Sequence, residues 1–287
     1  SCQGIFLILL LMYLIQHFIL FLIFFPGAIA QLNTGDSIQP NRIVIDQKVN
    51  DAFQDGEWFR FRMRYGFLNA SYATATVRET TFKDQAVYHV AATGKTTGFA
   101  RWFFKVDDYF DSYFEKDIVR PIRFVRNISE GNYKRHVEID FDHNNQSGIM
   151  HDLLRKTKTE ISFAPNLQDL VSTFYFLRNH FDLEGIQVGE TASLHMIYDK
   201  KPFAFQFRFL GYENVKTKFG VVPCVKFRPY VKEGRIFKKE GGLSLWVSND
   251  NNRIPIKVVA ELSVGSLEVD LVDFKGLKHP FNIIINE

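Results

Sequence analysis

Between Trp58 and Phe67 apolar and polar residues alternate: Phe59, Phe61, Met63, Tyr65 and Phe67 fall on one side, Arg60, Arg62 and Arg64 on the other. A period of two is that of a strand with one buried and one solvated face, the antiparallel signature. Gly66 interrupts the run, and Asn69-Ala70-Ser71 offers a turn or bulge into a second strand over 72–80. The same pattern predicts strands over 86–93, 108–114, 122–128, 133–141, 156–163, 192–198, 203–210, 221–229, 243–247, 254–262 and 267–274. Turn chemistry separates several of them: Glu130-Gly131-Asn132, Asp142-His143-Asn144-Asn145 and Asn249-Asp250-Asn251-Asn252 all tolerate left-handed backbone. About a dozen short strands at this spacing predict a mainly β protein, a curved antiparallel sheet forming an open or half barrel.

One segment changes period. Leu167, Leu170, Val171, Phe174, Leu177 and Phe181 recur at helical spacing after Pro165-Asn166, which predicts a capped amphipathic helix over 166–181 that covers the sheet or plugs the barrel mouth. A shorter helix is expected over 97–104. Residues 1–30 contain no Asp, Glu, Lys or Arg, and from Ile5 to Phe25 they are almost wholly Leu, Ile and Phe. Such a stretch meets a membrane. Ala28 and Ala30 after Pro26-Gly27 suit cleavage before Gln31; the length of the run and the lack of a basic leader suit an uncleaved signal anchor instead. Either way, membrane contact through residues 5–25 is expected before any cleavage. The export route places the chain in the periplasm or outer cell envelope, or anchored to the inner membrane. Residues 31–51 read as a polar leader arm and residues 52–287 as a single β-rich domain.

Cys2 and Cys224 flank the apolar run on opposite sides and cannot pair. No Cys follows the run closely enough for a lipid anchor, so the mature protein is expected to be unlipidated. Cys224, in Val221-Val222-Pro223-Cys224-Val225, reads as a small core residue. A formal net charge of +3 gives no electrostatic case for nucleic acid.

Four stretches carry a family resemblance: DGEWFRFRMRYGFLNASYAT (55–74), TTGFARWFFKVDDYFDSYFE (96–115), LQDLVSTFYFLRN (167–179) and CVKFRPYVKEGRIFKKEGGLSLWVSNDNNRIPIKVVAELSVGSLEVDLVDFKGL (224–277). Together they resemble the secreted bacterial domain-of-unknown-function family 3108, common in Bacteroidota. The resemblance implies an envelope location and an open-barrel fold similar in outline to periplasmic lipoprotein carriers. It supplies no activity and no catalytic residues.

Candidate chemistry is of three kinds. Thirty Phe in 287 residues is well above average usage. Aromatics on alternating strand positions either fill a barrel or line a cavity for an apolar ligand, possible lipid included; the candidate wall is Phe61, Phe67, Trp102, Phe103, Phe174, Phe205 and Phe207. From Lys216 to Lys239 eight cations face one acid, Glu233. These either meet an anionic headgroup, polysaccharide or envelope protein partner, or form a solvated face that blocks edge pairing, with Arg228 and Arg235 the candidate anion contacts. Third, Asp107, Asp108, Asp111 and Glu115 lie among Tyr109 and Tyr113, as acids and stacking rings do in a carbohydrate-active hydrolase, or as they do on an ordinary solvated strand.

No metal or cofactor is expected. Asp140–Asn145 begins like a calcium loop, but the sixth position is Asn145 and the twelfth His151, so it reads as a hairpin turn. Phosphate-binding loops, dinucleotide fingerprints, nucleophile elbows, H-E-x-x-H and C-x-x-C are all missing from the sequence. The favoured expectation is a non-enzymatic envelope protein that binds an apolar or amphipathic ligand or a partner protein; the alternatives are the hydrolase and a structural subunit of an envelope assembly.

Overall fold

The computed structural model describes residues 51–230, 242–262 and 265–284. The apolar segment, nearly all of the leader arm, and Lys232, Arg235, Lys238 and Lys239 of the basic run therefore lie outside the described residues. Among the described residues, no helix is long and apolar enough to cross a membrane.

The described residues form one fifteen-stranded sheet rather than a sheet of about a dozen strands. Its first half is a continuous meander: β1 Trp58–Tyr65, β2 Leu68–Phe82, β3 Gln85–Thr96, β4 Asp107–Glu115, β5 Pro121–Glu130, β6 Tyr133–Asp142, β7 Ser147–Asp152 and β8 Thr157–Ser162. A short helix, α1 Gly98–Phe103, lies between β3 and β4. After β9 Gln168–Asp169 and the helix α2 Leu170–His180, the second half runs β10 Thr191–Ile197, β11 Phe203–Thr217, β12 Gly220–Tyr230, β13 Leu243–Ser248, β14 Pro255–Glu261 and β15 Ser266–Lys275. The last strand pairs antiparallel with the first, Phe59 opposite Phe274 and Tyr65 opposite Leu267, which joins the two meanders into a single sheet. All pairings are antiparallel except the two-residue β9, which lies parallel to β10.

The sheet curls without closing: β8 and β9 are its two ends. At one end β8 (TKTEIS) presents mostly exposed polar and charged side chains, which discourages pairing with another chain. The gap between the halves is bridged by side chains around α2. Val77, Val90, Phe114, Phe124, Ile139 and Met150 of the first half share a core with Leu194, Phe207, Phe209 and Phe227 of the second and with Val171, Tyr175 and Phe176 of α2. Rings meet closely there, Phe53 to Tyr175 at 4.8 Å and Phe181 to Phe207 at 5.2 Å. This is the expected helix over the expected half barrel, with one correction to its start. Asn166 does not cap it; Asn166 adopts a left-handed φ of 61°. Asp169 does, its carboxylate accepting from the backbone N–H of Val171 and Ser172 while Ser172 Oγ accepts from Asp169 N–H.

β7 escaped the pattern reading because its alternation is inverted: Ile149 is 51% exposed while the charged Asp152 is buried. Its Gly148 faces Ile161 and lies close to the Asp140 backbone, where a side chain has no room.

A fully buried polar contact ties α2 to both ends of the domain. Arg178 is bound in fork geometry to Glu57, Nη1 to Oε1 at 2.6 Å and Nη2 to Oε2 at 2.7 Å, with both side chains essentially free of solvent. The same guanidinium donates to Asn252 O and Ala52 O. Asn252, itself buried, exchanges hydrogen bonds with His279 and Pro280, so the C-terminal segment is strapped to the same point.

Beside it, Gly276 (φ +69°) follows β15 where a Cβ would collide with the Gly56 carbonyl and come within 3.0 Å of Glu57 N. Gly276→Ala is expected to cost about 2–4 kcal/mol through left-handed strain plus backbone overlap. Gly185→Ala, at φ +61° but in open space, should cost only about 1–2 kcal/mol. Urea unfolding midpoints of the two variants measure the difference.

Candidate functional site

Three groups of side chains stand out from ordinary core and surface: a buried acid–arginine cluster, a cationic cavity and an exposed aromatic rim.

The cluster occupies the inner face of β4–β7. Alternation turns Asp108 inward while Asp107, Tyr109, Asp111, Tyr113 and Glu115 face outward. On β5 the inward positions include Arg126 and Glu130, on β6 Arg135, and on β7 Asp152, all buried. Arg126 stacks over the Tyr198 ring at 4.1 Å and, with Arg135, reaches Asp199 at 3.3 Å; Arg135 also pairs with Asp152. Asp108 accepts from Ser129 N–H, and its carboxyl is close enough to that of Glu130 for the two to influence each other's ionisation. Burial, reinforced by the charge of Asp108, pushes the Glu130 carboxyl up from its ordinary 4.5 to about 8. Asp108 is raised as well, chiefly by burial, and so is the fully buried Asp169 despite its helix-cap hydrogen bonds.

Across the interval from about 4.5 to about 8, Glu130 holds a proton in the fold that it has lost in the unfolded chain, so stability falls as pH rises. Glu130→Gln keeps a neutral hydrogen-bonding group at every pH. Relative to that variant, the wild type is expected to lose on the order of 2 kcal/mol between about pH 5 and about pH 8. Urea titrations of both proteins at the two pH values check it; parallel behaviour would show that Glu130 ionises freely in the fold.

The outward acids of β4 each have a side-chain partner. Arg101 forks onto Asp107 with two 2.9 Å bonds and holds its carboxyl below the usual range, His89 lies 2.7 Å from Asp111, and Arg120 binds Glu115 at 2.7 Å. With Asp108 turned to the interior, the four acids are not one set facing a common groove. The Asp142–Asn145 stretch is a hairpin turn in which Asp142 accepts from Asn144 and Asn145. Cys224 is buried, and desolvation raises its thiol to about 12. No group of three or more potential metal ligands occurs among the described residues.

The cavity, about 460 Å3, lies where the long β11–β12 hairpin outruns its short neighbours β13 and β14 and its tip approaches β1 and β15. The tip is shaped by Thr217 Oγ1, which accepts from Phe219 N–H and donates to Gly220 O, and it is seated by Phe219 against Phe274. Six cations line the space, Arg60, Arg62, Arg64, Lys216, Lys218 and Lys257, against two lining acids, Asp270 and Asp273. Arg64 is spoken for by Glu268 and Asp270, and Lys257 by Glu268. Arg60, stacked on Tyr72 at 4.3 Å, forms no ion pair among the described residues, and neither do Lys216 and Lys218. Val215, Ile256, Leu271 and Val272 supply apolar wall beside them. The volume falls within the range of small-molecule sites.

The residues singled out by sequence are split among these places. Phe174 and Phe207 are part of the interior packing, Phe205 packs at its margin, and Phe61 lies against the neighbouring cluster around Phe59 and Leu271. Phe67 and Trp102 do not line the interior: they are 93% and 79% exposed at the end of the sheet, with Phe103 beside Trp102. The physical reason is that Gly66-Phe67 forms the β1–β2 turn, beyond the last covered strand position. Arg228 is half-buried on β12 opposite Arg208 and outside the cavity lining. The cavity's β1 arginines were not singled out as contacts, although their alternation opposite an apolar face was visible; nothing local indicates that Lys216 and Lys218 lie across from them.

The fold is thus that of an open, β-barrel-like sheet protein with a helix-filled interior and a cationic cavity on its wall. The chain belongs to the family described as protein of unknown function DUF3108, whose model matches residues 60–272. It is similar in fold to a β-barrel-like protein of domain of unknown function DUF1849 from Brucella abortus, with a TM-score of 0.51 at 10% identity, covering 79% of this chain and 99% of that one. Weaker likenesses are to a DUF1089 family protein from Pseudomonas aeruginosa (TM-score 0.30, 10% identity, 73% and 91% of the two chains) and to a Bacteroides fragilis protein provisionally described as exported (TM-score 0.30, 11% identity, 79% and 99%). Neither score defines a shared fold. Among proteins with curated descriptions, none matches the sequence.

Proposed function

We propose that this is a non-enzymatic cell-envelope protein whose cationic cavity binds the anionic group of an amphipathic ligand. The observation that carries the reading is the convergence of Arg60, Lys216 and Lys218, none in an ion pair among the described residues, on a cavity that also offers Val215, Ile256 and Leu271. Guanidinium grips phosphate or carboxylate in two-point geometry, the lysines add point charge, and the aliphatic wall takes the first carbons of a chain. The envelope assignment rests on the uncharged apolar segment at residues 5–25. Interior ring-to-ring packing favours a ligand on the wall over one inside the barrel.

Calorimetric titration with dodecyl phosphate, dodecyl trimethylammonium and inorganic phosphate tests the proposal. Stoichiometric binding of dodecyl phosphate that weakens with added salt, with no binding of the cationic detergent, supports it. Equal binding of both detergents would remove the headgroup from the explanation and sink the reading. Binding of inorganic phosphate as tight as that of dodecyl phosphate would reduce the ligand to an anion without a chain.

A further inference from the structure

At the end of the sheet where β1 turns into β2, large aromatic side chains face solvent. Phe67 occupies the turn. α1 is seated beside it: Thr97 N–H donates to Ala70 O, and Ala100 and Phe104 pack into the small core formed by Tyr65, Leu68, Ala70 and Val106. This seating buries one side of α1 and leaves Phe99 at 56% and Trp102 at 79% exposure, their rings 6.2 Å apart and both in contact with Phe103. Leaving large aromatic rings in water forgoes the stabilisation of burying them, and a group of them at one place marks a contact surface.

Lys95, Arg101 and Lys105 surround α1, Arg101 and Lys105 both paired with Asp107, while the acid Glu261 lies across the β1–β15 edge of the same end. Lys105 is 65% exposed beside the rim, and Lys95 lies over the Tyr109 ring. Trp and Phe with flanking Lys and Arg are the side chains that partition to the boundary between headgroups and acyl chains. The same chain has an uncharged stretch at residues 5–25, of a kind that brings a protein to a membrane. We propose that this end of the sheet docks on the interface of an anionic lipid bilayer, with Phe67, Phe99 and Trp102 inserted at headgroup depth and Lys105 on the lipid phosphates. This contact is separate from the cationic cavity and stands whether or not the cavity takes a ligand.

Tryptophan position provides the test, because residues 5–25 contribute none. Of the three tryptophans, Trp246 is buried and Trp58 lies at the other end of β1, roughly 20 Å along the strand from the rim. The full chain, mixed with vesicles of phosphatidylcholine and phosphatidylglycerol whose acyl chains carry bromine, is expected to show quenched tryptophan fluorescence. In Trp102→Phe most of that quenching should disappear. In Phe67→Ser combined with Phe99→Ser, whose exposed positions leave the thermal melt unchanged, it should fall at least two-fold. Absence of quenching in the wild type, including failure to associate with the vesicles, overturns the proposal and leaves the rim to a protein partner. Quenching that persists in Trp102→Phe overturns it too.

Discussion

Arg178→Met is expected to lower the unfolding free energy by about 3–5 kcal/mol, the cost of leaving a buried carboxylate without its counter-ion. Glu57 has no solvent contact, and its carboxylate is matched by the two Nη atoms of one guanidinium. The rings of Phe53, Phe59, Phe174 and Tyr175 lie 5.2–5.6 Å from that guanidinium and exclude water from it. Losing Arg178 also removes the donors to Ala52 O and Asn252 O, and with them the tie between α2, the start of β1 and the C-terminal strap. Exchange of both partners, Glu57→Leu with Arg178→Met, should recover a large part of the loss, because removing both charges also removes the desolvation cost. Equilibrium urea unfolding measures all three proteins. A single-variant loss below about 1 kcal/mol would mean that water or a proton reaches Glu57 readily.

The second large effect is expected at the cavity. Reversing Arg60 and Lys216 together, both to Glu, changes the local charge by four at an exposed site where neither residue has an ion pair to lose among the described residues. At surface-like screening, two such reversals near a bound phosphate amount to about 3 kcal/mol, so dodecyl phosphate affinity should drop roughly a hundred-fold. Stability should move by no more than about 0.5–1 kcal/mol, since both side chains face water. Lys134→Glu, an exposed reversal on β6 away from the cavity, should leave affinity as it was. Calorimetric titration of the three proteins at one ionic strength decides the matter. An unchanged affinity in the double variant would separate the cavity from binding altogether.

Much of the architecture was written in local periodicity. β1 could be read from Phe59, Phe61, Met63 and Tyr65 because a strand's side chains alternate whatever the rest of the chain does. The hairpin at Asp142 and the burial of Cys224 followed from equally local rules. β7 did not, because Ile149 faces water and Asp152 is buried against Arg135, an inversion that only the buried partner makes tolerable. The cap of α2 was displaced from Asn166 to Asp169 for a related reason: Asp169 is also held by Ser112, which lies 57 residues away on β4.

By itself, then, the sequence determined that the protein is a curved antiparallel sheet with one covering helix, and which faces most of its strands present. Each follows from backbone geometry and side-chain polarity over a few neighbouring residues. Only the tertiary structure decided what meets what. Pairing of the first strand with the last sets Arg60 opposite Asp273 and Arg62 and Arg64 beside Asp270, and the overhang of β11–β12 brings Lys216 and Lys218 to them. The wrap of the sheet around α2 buries Arg178 on Glu57 and Asp108 on Glu130, while the turn at Gly66 leaves Phe67 in solvent. These contacts join residues far apart along the chain, and strand order, bulges and curvature fix them, none of which a local hydrophobic pattern encodes.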